Sequence, residues 1–100
     1  WWLRLRGYHI IARRFRCPVG EIDLIARRGR TLAVVEVKAR TADGSDALQP
    51  HQRRRIVRAA EAFLQRHPTL AHLDLRFDLV VFANRGLPRH LPGAWRADDS

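Results

Sequence analysis

Sulfur is almost missing from this chain: its 100 residues include one cysteine, Cys17, and no methionine. A lone cysteine excludes an internal disulfide and a cysteine-based zinc site, and it suits a reducing compartment, so a cytoplasmic location is expected. The absence of methionine, with Trp1 as the first residue, leads to the expectation that the native start lies upstream. Long apolar runs are missing too. No stretch approaches the roughly 20 residues of a membrane span, and no signal-peptide pattern is present, so no membrane role is expected. Acidic residues are scarce, with 10 Asp and Glu against 19 Lys and Arg, a net charge of +9. Nearly all the cations are arginines, whose planar fork matches phosphate oxygens two at a time, which points to nucleic acid more than to a membrane surface. His9, His51, His67, His72 and His90 show no pair at ligand spacing joined to a cysteine or carboxylate motif, which argues against zinc. There is also no serine-nucleophile motif and no glycine-rich phosphate cradle.

What is present is one domain's worth of chain, 46% apolar and carrying both charge signs. A domain this short buries only about two-thirds of its unfolded surface, so an interior charge is costly and needs a reason. Residues 1–6 read as the end of an amphipathic helix, closed by Gly7 at a position that tolerates positive φ. Residues 8–16 (YHIIARRFR) read as a first strand, stopped by the turn cluster Cys17-Pro18-Val19-Gly20. Two further strand-like runs, residues 21–27 (EIDLIAR) and 31–40 (TLAVVEVKAR), flank Arg28-Gly29-Arg30 and predict a β-hairpin. Residues 41–49 are small and polar and predict a mobile loop. Pro50 suits a first helical turn, and Ile56, Val57, Ala60, Phe63 and Leu64 recur at helical spacing until His67-Pro68. Arg53, Arg54, Arg55, Arg58 and Arg66 occupy other positions on this helix, which suit a solvated face or phosphate contact equally well. Residues 75–83 (LRFDLVVFA) predict another strand, and Asn84-Arg85-Gly86 a turn into a short last strand at about residues 87–91. The whole reads as an α/β domain with a mixed sheet flanked by helices.

The hairpin carries the chemistry. With its turn centred on Arg28-Gly29, Glu21 faces Glu36 and Asp23 faces Val34. Glu21, Asp23, Glu36 and Lys38 then project from one face, with Asp23 diagonal to Glu36 at roughly 7–8 Å. Ile22, Leu24, Ala33, Val35 and Val37 take the opposite, buried face. Carboxylates facing each other across a ladder are destabilising unless a cation sits between them, and Mg²⁺ is typically held by one or two carboxylates plus phosphate oxygens. Asp23 and Glu36 are the natural pair, and Lys38 stands close enough to contact a water or a phosphodiester oxygen. A plain surface Glu36–Lys38 ion pair, worth little, is the alternative for any single residue, but not for all four together. Asp78, inside RFDLVVF, reads as a structural charge paired with Arg76 or another arginine. Trp1, Trp2 and Trp95 mark core or an interface.

GEIDLIA followed by VVEVKAR resembles the signature of the YraN-like uncharacterised protein family, related in fold to Holliday junction resolvases within the PD-(D/E)xK, restriction-endonuclease-like nuclease superfamily. RGYHIIARRFR, the helix ending AAEAFL and RFDLVVF extend the resemblance over nearly the whole chain. It implies a restriction-endonuclease-like fold and a phosphodiesterase site dependent on Mg²⁺ or Mn²⁺. In that site Asp23 and Glu36 match the metal-binding acids, Val37 lends its backbone carbonyl, and Lys38 matches the motif lysine. Glu21 and Gln52 would be auxiliary, and Arg16, Arg40, Arg53 and Arg54 would meet nucleic acid, DNA more than RNA, in a chain that suits a homodimer. Two differences accompany it: the acid that relatives carry on their first helix falls before Trp1, so the chain is expected to lack the start of that helix, and Gln52 stands where relatives often have lysine. The alternative is a non-catalytic nucleic-acid-binding or scaffold protein that retains the fold.

Overall fold

The computed structural model of the chain describes residues 2–39, 48–82 and 87–97. In order these form helix α1 (Trp2–Leu5), strands β1 (His9–Cys17), β2 (Gly20–Arg28) and β3 (Thr31–Ala39), helix α2 (Pro50–Arg66), a 3-10 turn at Pro68–Leu70, and strands β4 (Asp74–Phe82) and β5 (Arg89–Trp95). The strands make one mixed sheet in the order β1-β2-β3-β4-β5. Only the β3–β4 pair is parallel, and the crossover that a parallel pair requires is supplied by α2; the other neighbours are antiparallel. The expected mobile loop and Arg40 lie outside the described residues, apart from Leu48 and Gln49, which lead into α2.

The local signals act as chain chemistry requires. Helix α1 ends in a Schellman arrangement, with Tyr8 N–H donating to the Leu3 carbonyl (3.0 Å) and Gly7 N–H to the Arg4 carbonyl (3.1 Å). Gly7 supplies the necessary positive φ of 89°. Pro50 opens α2, where its missing N–H costs nothing, and the Gln52 side-chain oxygen accepts from the Gln49 amide (2.9 Å), satisfying a donor at the helix start.

Both faces of the sheet are covered. On one, Ile25, Leu32, Val34, Phe77 and Trp95 pack with Ile56, Ala59, Ala60 and Phe63 of α2. Phe63 is 2% exposed and meets Phe15 edge-on at 5.2 Å; losing such a ring costs about 3–5 kcal/mol. On the other, Ala26, Ala33, Val35 and Val80 pack with Leu3 and Tyr8, and Trp2 and Leu24 lie against them. Gly20 begins β2 where the sheet comes close to α2: a Cβ there would sit 2.7 Å from the Arg55 carbonyl oxygen.

Three expectations are corrected. The hairpin loop is Gly29-Arg30 rather than a turn centred on Arg28-Gly29, and Arg28 pairs with Thr31, Leu24 with Val35. Gly29 takes φ 59° at the first loop position, a conformation costly for other residues. Register therefore shifts by two, which preserves the faces but changes the neighbours, and Glu21 does not face Glu36. Second, Ile22 joins Ile25 in the core beneath α2 while Leu24 packs on the other face, so strict alternation fails near Asp23; Arg14 of the adjoining strand has φ 50°. Third, the last strand is Arg89–Trp95, later than the expected 87–91.

The displacement of β5 has a visible cause. Leu91 and Trp95 of β5 pair with Leu79 and Phe77, so Pro92, Gly93 and Ala94 bulge opposite Asp78. The buried Asp78 carboxylate accepts from Arg76 at 2.8 and 2.7 Å, from the bulge amide of Gly93 at 3.0 Å, and contacts His90 Nε2 at 2.8 Å. Arg76 also donates to the Tyr8 hydroxyl. Burial alone would raise the Asp78 pKa, but Arg76, the Gly93 amide and His90 together hold it below the usual aspartate value. The expected Arg76–Asp78 pair is present, enlarged by partners from both ends of the chain.

Candidate active site

Beyond the Leu24–Val35 pair the β2–β3 ladder stops. Asp23 occupies the place where a backbone partner would be, its carboxylate accepting from the Val37 amide at 2.9 Å. This bond holds Asp23 beside Glu36, a residue half-buried at the start of the cleft between the sheet and α2. Glu36 Oε1 is enclosed and has no hydrogen-bond partner. Burial first, and then the neighbouring Asp23 carboxylate, push the Glu36 carboxyl up to about 8 from an ordinary 4.5, with Glu21 adding to the effect. The Asp23 backbone amide acts in the opposite direction without cancelling it. A carboxyl so displaced is in surroundings short of positive charge.

Glu21, Glu36, Leu48, Gln52, Arg55 and Ile56 line this cleft of ≈ 250 Å³. It opens where the parallel strand β3 ends and the connecting helix α2 begins, the edge at which α/β sheets usually place ligands. Lys38 follows Glu36 on the same strand face and is half-buried. The structure therefore brings Asp23 and Glu36 together more closely than the diagonal expected from the sequence, and Glu21 shares the cleft with Glu36. Among the described residues no group of three His, Cys, Asp or Glu side chains is arranged to hold a metal ion. The acids offer a two-carboxylate site, to which only a backbone carbonyl such as that of Val37 can add from the protein.

The expected nucleic-acid contacts divide. Arg16 faces Glu21 across the β1–β2 ladder and bonds it at 3.2 Å. Arg54 is fully on the outer face of α2, whereas Arg53 is half-buried with its Nε enclosed and without a partner. Arg55 and Ile56 were not singled out from the sequence for this cleft, although they follow Gln52 at i+3 and i+4 and so share its helical face. Trp95 is core, and Trp2 packs against the sheet beneath α1. No helix is long and apolar enough to cross a membrane, among the described residues.

A mixed sheet with this connectivity is the restriction-endonuclease-like architecture. The 1.6 Å structure of Hjc, a Holliday junction resolvase from the archaeal hyperthermophile Archaeoglobus fulgidus, superposes with a TM-score of 0.53 at 20% identity, covering 91% of this chain and 69% of that one. The likeness establishes a shared fold. The description "Uncharacterised protein family UPF0102" matches residues 1–82. A UPF0102 protein of Parvibaculum lavamentivorans is 57% identical over 96 residues, covering 94% of this chain and 72% of the relative. Another, from Paramagnetospirillum magneticum, is 52% identical over 103 residues, covering 97% and 80%. The chain belongs to the UPF0102, YraN-like family.

Proposed function

We propose that this protein is a metal-dependent nuclease that hydrolyses phosphodiester bonds in DNA, branched or junction DNA included, with Mg²⁺ or Mn²⁺ as its cofactor. One observation carries the reading. Glu36 sits half-buried beside Asp23, with an enclosed oxygen that has no partner and a protonation equilibrium displaced upward. No structural need is met by two adjacent carboxylates in that state, and a divalent cation would relieve both the unpaired oxygen and the mutual repulsion. The donors fit a hard cation: they are all oxygens, and a site with two protein carboxylates leaves positions for waters and phosphate oxygens.

Asp23 and Glu36 would hold the ion, with the Val37 carbonyl as a further ligand. When bound, the ion would polarise the phosphate and make a water acidic enough to attack near neutral pH. The chain's own groups do the remaining work. The Val37 amide orients Asp23, Lys38 offsets charge gathering on the phosphate oxygens, and Arg16 holds Glu21 at the rim. Ile56 and Leu48 form an apolar wall that limits water around the acids. The +9 charge suits a polyanionic substrate, and the fold shared with a Holliday junction resolvase favours DNA over RNA. Cutting two strands calls for two active sites, so a homodimer belongs to this reading, as does a cytoplasmic location.

The test is calorimetric titration of Mn²⁺ into the wild type and into Asp23→Ala/Glu36→Ala, followed by incubation with branched and linear DNA. Metal binding should vanish in the double variant. Asp23→Ala, Glu36→Ala and Lys38→Ala should each abolish metal-dependent cutting while the circular dichroism spectrum is retained. Unchanged cutting in all three would refute the assignment. DNA binding that needs no metal, with no cutting by the wild type, would favour the non-catalytic alternative.

A further inference from the structure

We infer that Arg55 is the phosphate-binding residue of this cleft, held by Gly20 at a fixed place across from the carboxylates; the inference rests on reading the cleft as the nuclease site. Most arginines near the cleft are otherwise engaged or face away. Arg16 is bonded to Glu21, Arg66 lies over the Phe15 ring, Arg54 and Arg58 are on the outer face of α2, and Arg53, half-buried with its Nε enclosed, is not among the residues lining the cleft. Arg55 is exposed, lines the same cleft as Glu21 and Glu36, and among the described residues forms no ion pair with either. An unpaired guanidinium beside carboxylates leaves its fork available for an incoming anion, and phosphate matches that fork in two parallel hydrogen bonds.

Position supports the same conclusion. A Cβ on Gly20 would lie 2.7 Å from the Arg55 carbonyl oxygen, 3.3 Å from its carbonyl carbon and 3.5 Å from the Ala59 Cβ. The backbone of β2 thus touches that of α2 at Arg55, and the residue after Gly20 is Glu21. Arg55 and Glu21 therefore start from neighbouring points on a rigid frame, whereas Arg54, one residue earlier, points about 100° away around the helix. The arrangement solves an electrostatic difficulty. A cleft lined by carboxylates repels a polyanion, and Arg55 opposes them with one positive charge on the helix wall, where it would grip a phosphate while the acids hold the cation.

The test compares wild type, Arg55→Gln, Arg55→Lys and Arg30→Gln by fluorescence anisotropy of labelled branched DNA over a series of KCl concentrations, with Ca²⁺ present to suppress cutting. Arg30 lies in the hairpin loop at the far end of β3 and controls for the loss of one charge. Arg55→Gln should weaken binding severalfold and reduce the slope of log K against log [KCl] by about one, the signature of one lost phosphate contact. Arg55→Lys should recover the slope but only part of the affinity, since it lacks the fork. Arg30→Gln should leave the slope unchanged. An Arg55→Gln slope equal to that of wild type, an equal loss in Arg30→Gln, or no DNA binding by the wild type overturns the inference. Cutting is read separately with Mn²⁺. A wild type that binds but never cuts removes the nuclease reading, while the slopes still decide Arg55; a wild type that cuts, with unaltered slopes in Arg55→Gln, removes only this assignment.

Discussion

Replacing Glu36 with glutamine should stabilise the metal-free protein at alkaline pH, although it removes a residue of the proposed active site. The glutamine keeps the shape of the side chain and removes its charge. In the folded protein the Glu36 carboxyl is pushed from 4.5 up to about 8, so the folded state binds its proton more readily than the unfolded state does. Folding stability is then unaffected by this group below the ordinary value, declines as pH rises from 4.5 toward 8, and levels off above it. At about 1.4 kcal/mol per tenfold the ceiling of the penalty is about 5 kcal/mol. Partial solvent access to the side chain reduces the realistic figure to about 1–3 kcal/mol. In a domain of this size each kcal/mol moves Tm by roughly 4–8 °C. Melting followed by circular dichroism in EDTA should show little difference between Glu36→Gln and wild type near about pH 5 and a higher Tm for the variant near about pH 8.5. Adding Mn²⁺ should raise the wild type alone. A Tm difference that is independent of pH, or negative at the alkaline end, would show that Glu36 is not a strained carboxylate and would remove the support it gives to a cation site.

Asp78 should behave oppositely. Its pKa is held down, so its contribution is fully present above the ordinary aspartate value and is lost as pH falls through the depressed one. Asp78→Ala, which strands Arg76, should cost about 3–5 kcal/mol, read as a lower urea midpoint at an unchanged m-value; a loss below about 1 kcal/mol would contradict the network. Gly20→Ala must part β2 from α2 at the Arg55 carbonyl and should destabilise by about 1–3 kcal/mol in the same assay. No change there would mean that the close approach is not what positions the helix.

The parts of the fold legible in the sequence are those governed by local chemistry. Gly7, Pro50 and the apolar period from Ile56 to Phe63 marked helix ends and faces correctly, because caps and periodicity act within a few residues. Asp23 and Glu36 came together in spite of the register error, because the Val37 amide holds the Asp23 carboxylate beside Glu36. What did not survive was the choice of neighbour. Arg28-Gly29-Arg30 permits two loop placements, and only the positive φ of Gly29 in the folded chain selects one. The bulge opposite Asp78 was equally hidden, because it depends on a carboxylate from another strand reaching the Gly93 amide. Arg55 was legible only as one of five helix arginines suited to solvent or phosphate alike, because its place beside the cleft depends on the close approach of Gly20, distant in sequence.

The two outer strands have a consequence for self-association. β1 is interrupted by a register shift between Ile10 and Ala12, by the left-handed backbone of Arg14 and by exposed Arg13 and Arg16. β5 is interrupted by Pro92 and by Gly93 at φ 60°. Neither margin offers the long, flat, uncharged row of amides and carbonyls on which another strand can be added. Two copies of this chain cannot readily join by extending one sheet into the next, and the same interruptions protect the isolated domain from open-ended stacking into fibres.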